Sequence, residues 1–184
     1  MSRKFVLTLT GPDRVGIVEE VTRAVFGRGG NVEASRMARL GGEFAVLLLA
    51  AFPEGKGGDL GGDLADLADR GFKVAITPAD SDANPHVGWI PYRIVVDGAD
   101  DEGIIHQIAS RLARHGVSIE EMDSESTLAP TSGAPLFAMT ALVLAPPDAD
   151  PSWIAELEEV GWTMNLEVDV APADEDEFDA DPTA

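Results

Sequence analysis

Shifted by 87 residues, the sequence falls on itself. Phe5 meets Tyr92, and Gly11-Pro12-Asp13-Arg14-Val15-Gly16-Ile17 meets Gly98-Ala99-Asp100-Asp101-Glu102-Gly103-Ile104. Val21 and Val25 meet Ile108 and Leu112, Gly29 meets Gly116, and Asn31-Val32-Glu33 meets Ser118-Ile119-Glu120. The register holds for about thirty residues. Six extra residues in the second copy then move Phe44-Ala45 onto Phe137-Ala138, an offset of 93. Two copies of one unit of about 80 residues account for the 184-residue length better than one medium domain does.

Each copy reads as the same order of elements. Phe5, Leu7 and Leu9 alternate with Val6 and Thr8, the period of a half-buried strand. A turn follows over Gly11–Gly16. Val18, Val21, Thr22 and Val25 then recur at helical spacing, with Asp13 at the expected N-cap and Gly27-Arg28-Gly29-Gly30 as the stop. Strands are predicted over 31–40 and 43–52 around a Gly41-Gly42 hairpin turn. A second helix carries Leu60, Leu64, Leu67 and Ala68, and a strand over 72–77 closes the unit. The second copy predicts strands at 92–96, 117–127, 135–145 and 162–170. Its helices carry Ile105, Ile108, Ala109 and Leu112, and then span 151–160. The order β-α-β-β-α-β, twice, predicts an α+β chain of two tandem ferredoxin-like units, antiparallel sheets with helices on one face. The expected organisation is a first domain at 3–78, a polar Pro-bearing linker at 79–90, a second domain at 91–171 and an acidic tail at 172–184.

Charge narrows the function classes. Thirteen Lys and Arg against thirty-three Asp and Glu leave a net charge of −20. Arg114 is the last basic side chain, and seventeen acidic residues follow it. Direct nucleic-acid binding needs clustered cations and is not expected. The absence of cysteine removes disulfides, thiol nucleophiles and thiolate metal sites. The longest apolar run, Phe44 to Phe52, is too short for a helical membrane span of about 20 residues. Met1-Ser2-Arg3-Lys4-Phe5 shows no secretory pattern, so a cytoplasmic location and no membrane contact are expected. His86, His106 and His115 lack metal-ligand spacing, and no nucleophile or acid–base constellation stands out. No catalysis, metal or cofactor is expected. Trp89, Trp153 and Trp162 lack interleaved basic residues and read as packing residues.

The loop Gly11-Pro12-Asp13-Arg14-Val15-Gly16-Ile17 is the most informative segment. A strand-to-helix turn presents backbone N–H groups at a helix N-terminus, which suits a carboxylate. Asp13 suits an ammonium. An amino acid carries both charges. The spacing Gly11-x₄-Gly16 is that of a phosphate-binding loop, but Ile17 and Val18 stand where Lys and Ser/Thr would be. Asn31 is expected near the same end of the unit, adding an amide that both donates and accepts. In the second copy Asp100 and Gly103 persist, while Asp101 and Glu102 replace Arg14 and Val15 and Ser118 replaces Asn31. A weaker anion site is expected there. Equally open on the residues alone is a structural reading: Asp13 a plain cap, Gly16 a point of close helix–strand packing, Asn31 a turn residue.

Taken with the repeat, Leu9-Thr10-Gly11-Pro12-Asp13-Arg14-Val15-Gly16-Ile17-Val18, Gly30-Asn31-Val32 and Ala129-Pro130-Thr131-Ser132-Gly133-Ala134-Pro135-Leu136-Phe137 resemble the tandem ACT-domain regulators of the glycine cleavage repressor family. The resemblance spans about residues 3–171 and excludes the acidic tail. It implies units that pair through their sheets, within a chain or in a homo-oligomer, and bind amino acids where they pair. Gly11, Asp13, Arg14, Val15, Gly16 and Ile17 would form the loop side of such a pocket, and Asn31 and Val32 its strand side. Asp100, Gly103, Ile104 and Ser118 would form the weaker second site. It further implies a non-catalytic sensor acting through a protein partner, a transcription regulator among the candidates, with glycine the leading ligand. The competing expectation is a ligand-free interaction scaffold.

Overall fold

The computed structural model describes residues 2–79 and 85–173. The chain divides into two compact units, Met1–Ala83 and Asn84–Ala184. The predicted acidic run from Asp174 onward, and residues 80–84 of the predicted linker, lie outside the described residues.

The first unit runs β1 (Arg3–Pro12), α1 (Ile17–Gly27), β2 (Asn31–Leu40), β3 (Glu43–Phe52), α2 (Leu60–Asp63), α3 (Asp66–Asp69) and β4 (Lys73–Ala79). The second runs β5 (Ile90–Ala99), α4 (Ile104–Arg114), β6 (Ser118–Leu128), β7 (Pro135–Ala145), α5 (Ser152–Met164) and β8 (Leu166–Pro172). The sheets are ordered β2-β3-β1-β4 and β6-β7-β5-β8, and every pairing is antiparallel. This is the ferredoxin-like arrangement, twice. A β-bulge interrupts β2 between Val32 and Ala34 and β6 between Ile119 and Glu121. These positions are 87 apart, so the irregularity is part of the repeat.

Period-2 alternation places Phe5, Leu7 and Leu9 of β1 and Val46, Leu48, Ala50 and Phe52 of β3 in one core. In α1 the buried stripe is Ile17, Val21 and Val25, and in α4 it is the repeat-equivalent Ile104, Ile108 and Leu112. Of the predicted stripe, Val21, Val25, Ile108 and Leu112 are buried, and the first member in each copy differs: Val18 and Ile105 are partly exposed. The helices start at position 17 and its equivalent 104, so those first residues already face the sheet. The second helix of the first unit is two short turns interrupted at Leu64-Ala65, which agrees with the weak helix propensity of its glycines. Arg28 clamps α1 to α2 by donating to Asp63, with Asp59 3.6 Å away. Helix α5 continues four residues past its predicted end at Val160. It stops where Asn165 takes a left-handed conformation, φ 55°.

The predicted packing role holds for Trp153, which is buried against Tyr92 with ring centroids 5.1 Å apart. It fails for Trp162, placed in a strand on the sequence, which sits on the outer face of α5 and is 90% exposed. Trp89 is partly buried and stacks on His86 at 4.2 Å. Among the described residues no helix is long and apolar enough to cross a membrane.

Candidate functional site

Strand β1 delivers the loop, and its ladder continues one residue beyond the strand, the Asp13 N–H donating to the Gly42 carbonyl at 3.1 Å. The chain then turns at Gly16, whose φ of 90° and ψ of −1° lie in the left-handed region. The Glu20 N–H donates to the Gly16 carbonyl at 3.0 Å and closes the first turn of α1. Gly16, not Asp13, is therefore the N-cap, and no side chain caps that turn. Nothing lies within 4 Å of where a Gly16 Cβ would be, so the glycine serves the backbone conformation rather than close packing. Gly11 is the reverse case: a Cβ there would meet the Phe72 ring at 2.4 Å.

The side chains of the loop divide by partner. The Asp13 carboxylate accepts from Arg39 Nη1 at 3.3 Å across the end of the β2–β3 hairpin. Arg14 folds back along α1, donates to Glu20 and lies over the Phe72 ring, 5.4 Å from its centroid. Arg70, arriving from the end of α3, donates to both oxygens of the same Glu20 carboxylate. The hydrogen bond from Arg70, and then that from Arg14, hold the Glu20 carboxyl down at about 2. Two guanidiniums thus share one carboxylate beside an uncapped helix start, with the Asp66 carboxylate acting on Arg70 from α3. Arg14 Nε is buried without a hydrogen-bond acceptor. Val15 is fully exposed at the loop tip, whereas Ile17 is 2% exposed and belongs to the core. Val32 also packs against the core.

Asn31 is not near this loop within its own unit. It pairs with Ala51, which pairs with Lys4, whereas Pro12 pairs with Glu43 at the other end of β3. Eight residues of strand, about 27 Å, separate the two levels. The expectation that both lie at one end fails because β1 and β2 both run antiparallel to β3, and α1 carries the chain back along the sheet between them. The second unit repeats this. Gly103 caps α4 with φ 88°, and the Gln107 N–H donates to its carbonyl at 2.9 Å. Asp100 accepts from Ser126 at 2.5 Å, and Ile104 is core. Ser118, which donates to Glu120 at 2.9 Å, enters at the far end, level with Leu144 and Pro91.

Sequence reasoning missed Glu20, Arg70, Phe72 and Arg39. One signal was present. Arg14 and Glu20 become Asp101 and Gln107 at the repeat-equivalent positions, so both ends of the pair change together. Arg70 and Phe72 come from 50 residues further along, where only the fold brings them near. No cluster of three or more potential metal ligands occurs among the described residues.

Residues 3–74 match the family model of the ACT domain. The glycine cleavage system transcriptional repressor of Escherichia coli (strain K12) is 29% identical over 163 residues, covering 83% of this chain and 80% of that protein. The same-named protein of Shigella flexneri matches equally. A crystal structure of an unknown protein from Galdieria sulphuraria superposes with a TM-score of 0.84 at 32% identity, covering 95% of this chain and all of that one. A structure assigned provisionally as a glycine cleavage system transcriptional repressor gives 0.63 at 18% identity, covering 93% and 97%, and supports the fold alone. The first unit resembles an ACT domain, the second repeats its topology, and the chain is similar along most of its length to glycine cleavage system transcriptional repressors.

Proposed function

We propose that this chain is a non-catalytic regulatory protein that binds a small amino acid, glycine foremost, at the Asp13–Ile17 loop of its first unit. Ligand binding changes its affinity for a protein partner, a transcription regulator, in the cytoplasm. The observation that carries this reading is the uncapped start of α1 beside the Arg14–Glu20–Arg70 cluster. First-turn N–H groups and the two guanidiniums beside them suit a carboxylate. Asp13, whose partner among the described residues is a solvent-exposed Arg39, suits the ammonium. In the second unit the same backbone carries Asp101 and Glu102, and the excess charge is negative. The two units are therefore unequal sensors. The name of the Escherichia coli relative supports the partner class, and a net charge of −20 argues against direct contact with DNA.

Asn31 joins such a pocket only from a second unit. β2 is an edge strand with Met37 and Leu40 exposed. If it pairs antiparallel with the β2 of another copy in the register that sets Asn31 opposite Leu40, Asn31 comes to the same end of the sheet as that copy's Pro12 and Asp13, three strand spacings or about 14 Å across it. Ligand would then favour the paired state, which is the differential binding a switch requires.

The test is thermal unfolding against a panel of amino acids, with Asp13→Ala and Arg14→Gln as controls. Ligand at about 100 times its dissociation constant adds about 2.7 kcal/mol. A rise in the melting temperature with glycine or another amino acid, lost in both variants, is the expected result. No rise with any amino acid refutes the sensor and leaves the ligand-free scaffold. A rise retained in both variants refutes this site.

A further inference from the structure

Helix α5 and strand β8 of the second unit frame a groove of about 530 Å³ whose wall includes Glu158, Gly161, Trp162 and Glu167. Its features point to one kind of occupant. Trp162 presents its indole to solvent at 90% exposure, although the inner stripe of its helix, Trp153, Leu157 and Val160, is fully used by the core. Glu158 stands one helical turn before Trp162, on the same face. Glu167 lines the groove from β8, but its side chain leaves the opposite face of the strand from Leu166 and Val168, which pack into the core under α5. Both carboxylates are exposed, and neither has an ion pair or hydrogen bond among the described residues. The groove lies at the C-terminal end of α5, where the helix dipole favours a cation, yet the last turn holds no basic residue. No Lys or Arg occurs after Arg114, so the second unit has no nearby cation of its own to supply from that stretch.

An aromatic face, the Glu158 carboxylate beside it and a helix C-terminus all attract positive charge. A guanidinium fits this set better than an ammonium or a metal ion. Its plane stacks on an indole while its edge donates in pairs to a carboxylate. The groove volume also lies within the range that takes a side chain and its flanking backbone, about 300–1,000 Å³. We propose that this groove is a docking site for an arginine side chain of a partner protein. It is independent of the amino-acid site in the first unit.

The experiment uses the full chain with ¹⁵N-labelled indoles, the Trp162 resonance being assigned by its loss in Trp162→Phe. The probes are the blocked peptide acetyl-Gly-Arg-Gly-amide, its citrulline counterpart, which has the same shape without the charge, acetyl-arginine amide and free arginine. The arginine peptide should shift the Trp162 indole resonance saturably, and the citrulline peptide should not. Binding should weaken about three-fold or more in the Glu158→Gln variant and in high salt, and should be unchanged in Glu167→Gln. These exposed substitutions leave the melting temperature in place, which separates loss of binding from loss of fold. Equal shifts from the arginine and citrulline peptides, no saturable shift from either, or unchanged affinity in the Glu158→Gln variant would overturn the proposal. Free arginine bound more tightly than the blocked acetyl-arginine amide would overturn the protein-partner assignment.

Discussion

Replacing Gly161 by alanine should destabilise the second unit, against the usual rule for a glycine inside a helix. In an open helix the change stabilises by about 1 kcal/mol, because alanine loses less backbone entropy on folding. At Gly161 the new Cβ would sit 2.9 Å from the Leu166 carbonyl oxygen and 3.0 Å from Val168 Cγ2. The oxygen belongs to β8, which is bonded along its length to β5 and cannot withdraw alone. Overpacking of this kind costs typically about 1–3 kcal/mol, and a backbone neighbour places it toward the upper end. The net expectation is a loss of about 1–2 kcal/mol. Gly27, the last residue of α1, is the control: a Cβ there meets nothing within 4 Å. Gly27→Ala should gain about 0.5–1 kcal/mol in the first unit. For a unit of this size each kcal/mol moves the transition by about 4–8 °C. Calorimetry of the two variants should therefore show shifts of opposite sign. If Gly161→Ala stabilises as Gly27→Ala does, the helix–strand approach is looser than described, and so is the frame of the groove beside Trp162.

Other outcomes follow from the packing and charge described. Glu20 is held at about 2 against an ordinary value of 4.5, so its contribution is complete above pH 4.5 and is lost as pH falls from there through 2. Glu20→Gln should lower stability at pH 7 and flatten the acid limb of the first unit's stability profile in that window; an unaltered limb would show that the cluster does not couple to folding. Trp153→Ala should cost about 3–5 kcal/mol, whereas Trp162→Ala should stay within about 0.5 kcal/mol, as denaturant titration would show. Gly16→Ala and Gly103→Ala should each cost about 1–2 kcal/mol through backbone strain alone, since both sites are sterically empty. Equal melting temperatures for these variants and the parent would refute the left-handed caps.

The fold was legible because the repeat reports the same elements twice. β2, β3 and β7 fall on their predicted bounds, since strong alternation and glycine turns leave little freedom there. The end of α5 was not legible. The predicted end at Val160 falls just before Gly161, but that glycine is a contact point inside the helix, and the stop is Asn165. The loop was recognised as a helix start, yet its cap was assigned to Asp13 because acidic residues usually cap. Here a left-handed glycine shapes the turn and frees the carboxylate for Arg39. The distance between Asp13 and Asn31 depends on strand order. Sequence spacing does not encode that order: eighteen residues of loop and helix return the chain to the opposite end of the sheet.

The caps at Gly16 and Gly103 have nearly superimposable backbones, φ 90° and ψ −1° against φ 88° and ψ 9°, yet the side chains mounted on them are opposite in charge. Frame and chemistry have thus come apart: one copy has changed its loop side chains without disturbing the turn that holds them. Each molecule consequently carries its own matched comparison. Exchanging Asp101-Glu102 for Arg-Val, with Gln107→Glu, would rewrite the second loop on an unchanged mount. That exchange asks whether a few charges suffice to specify a ligand.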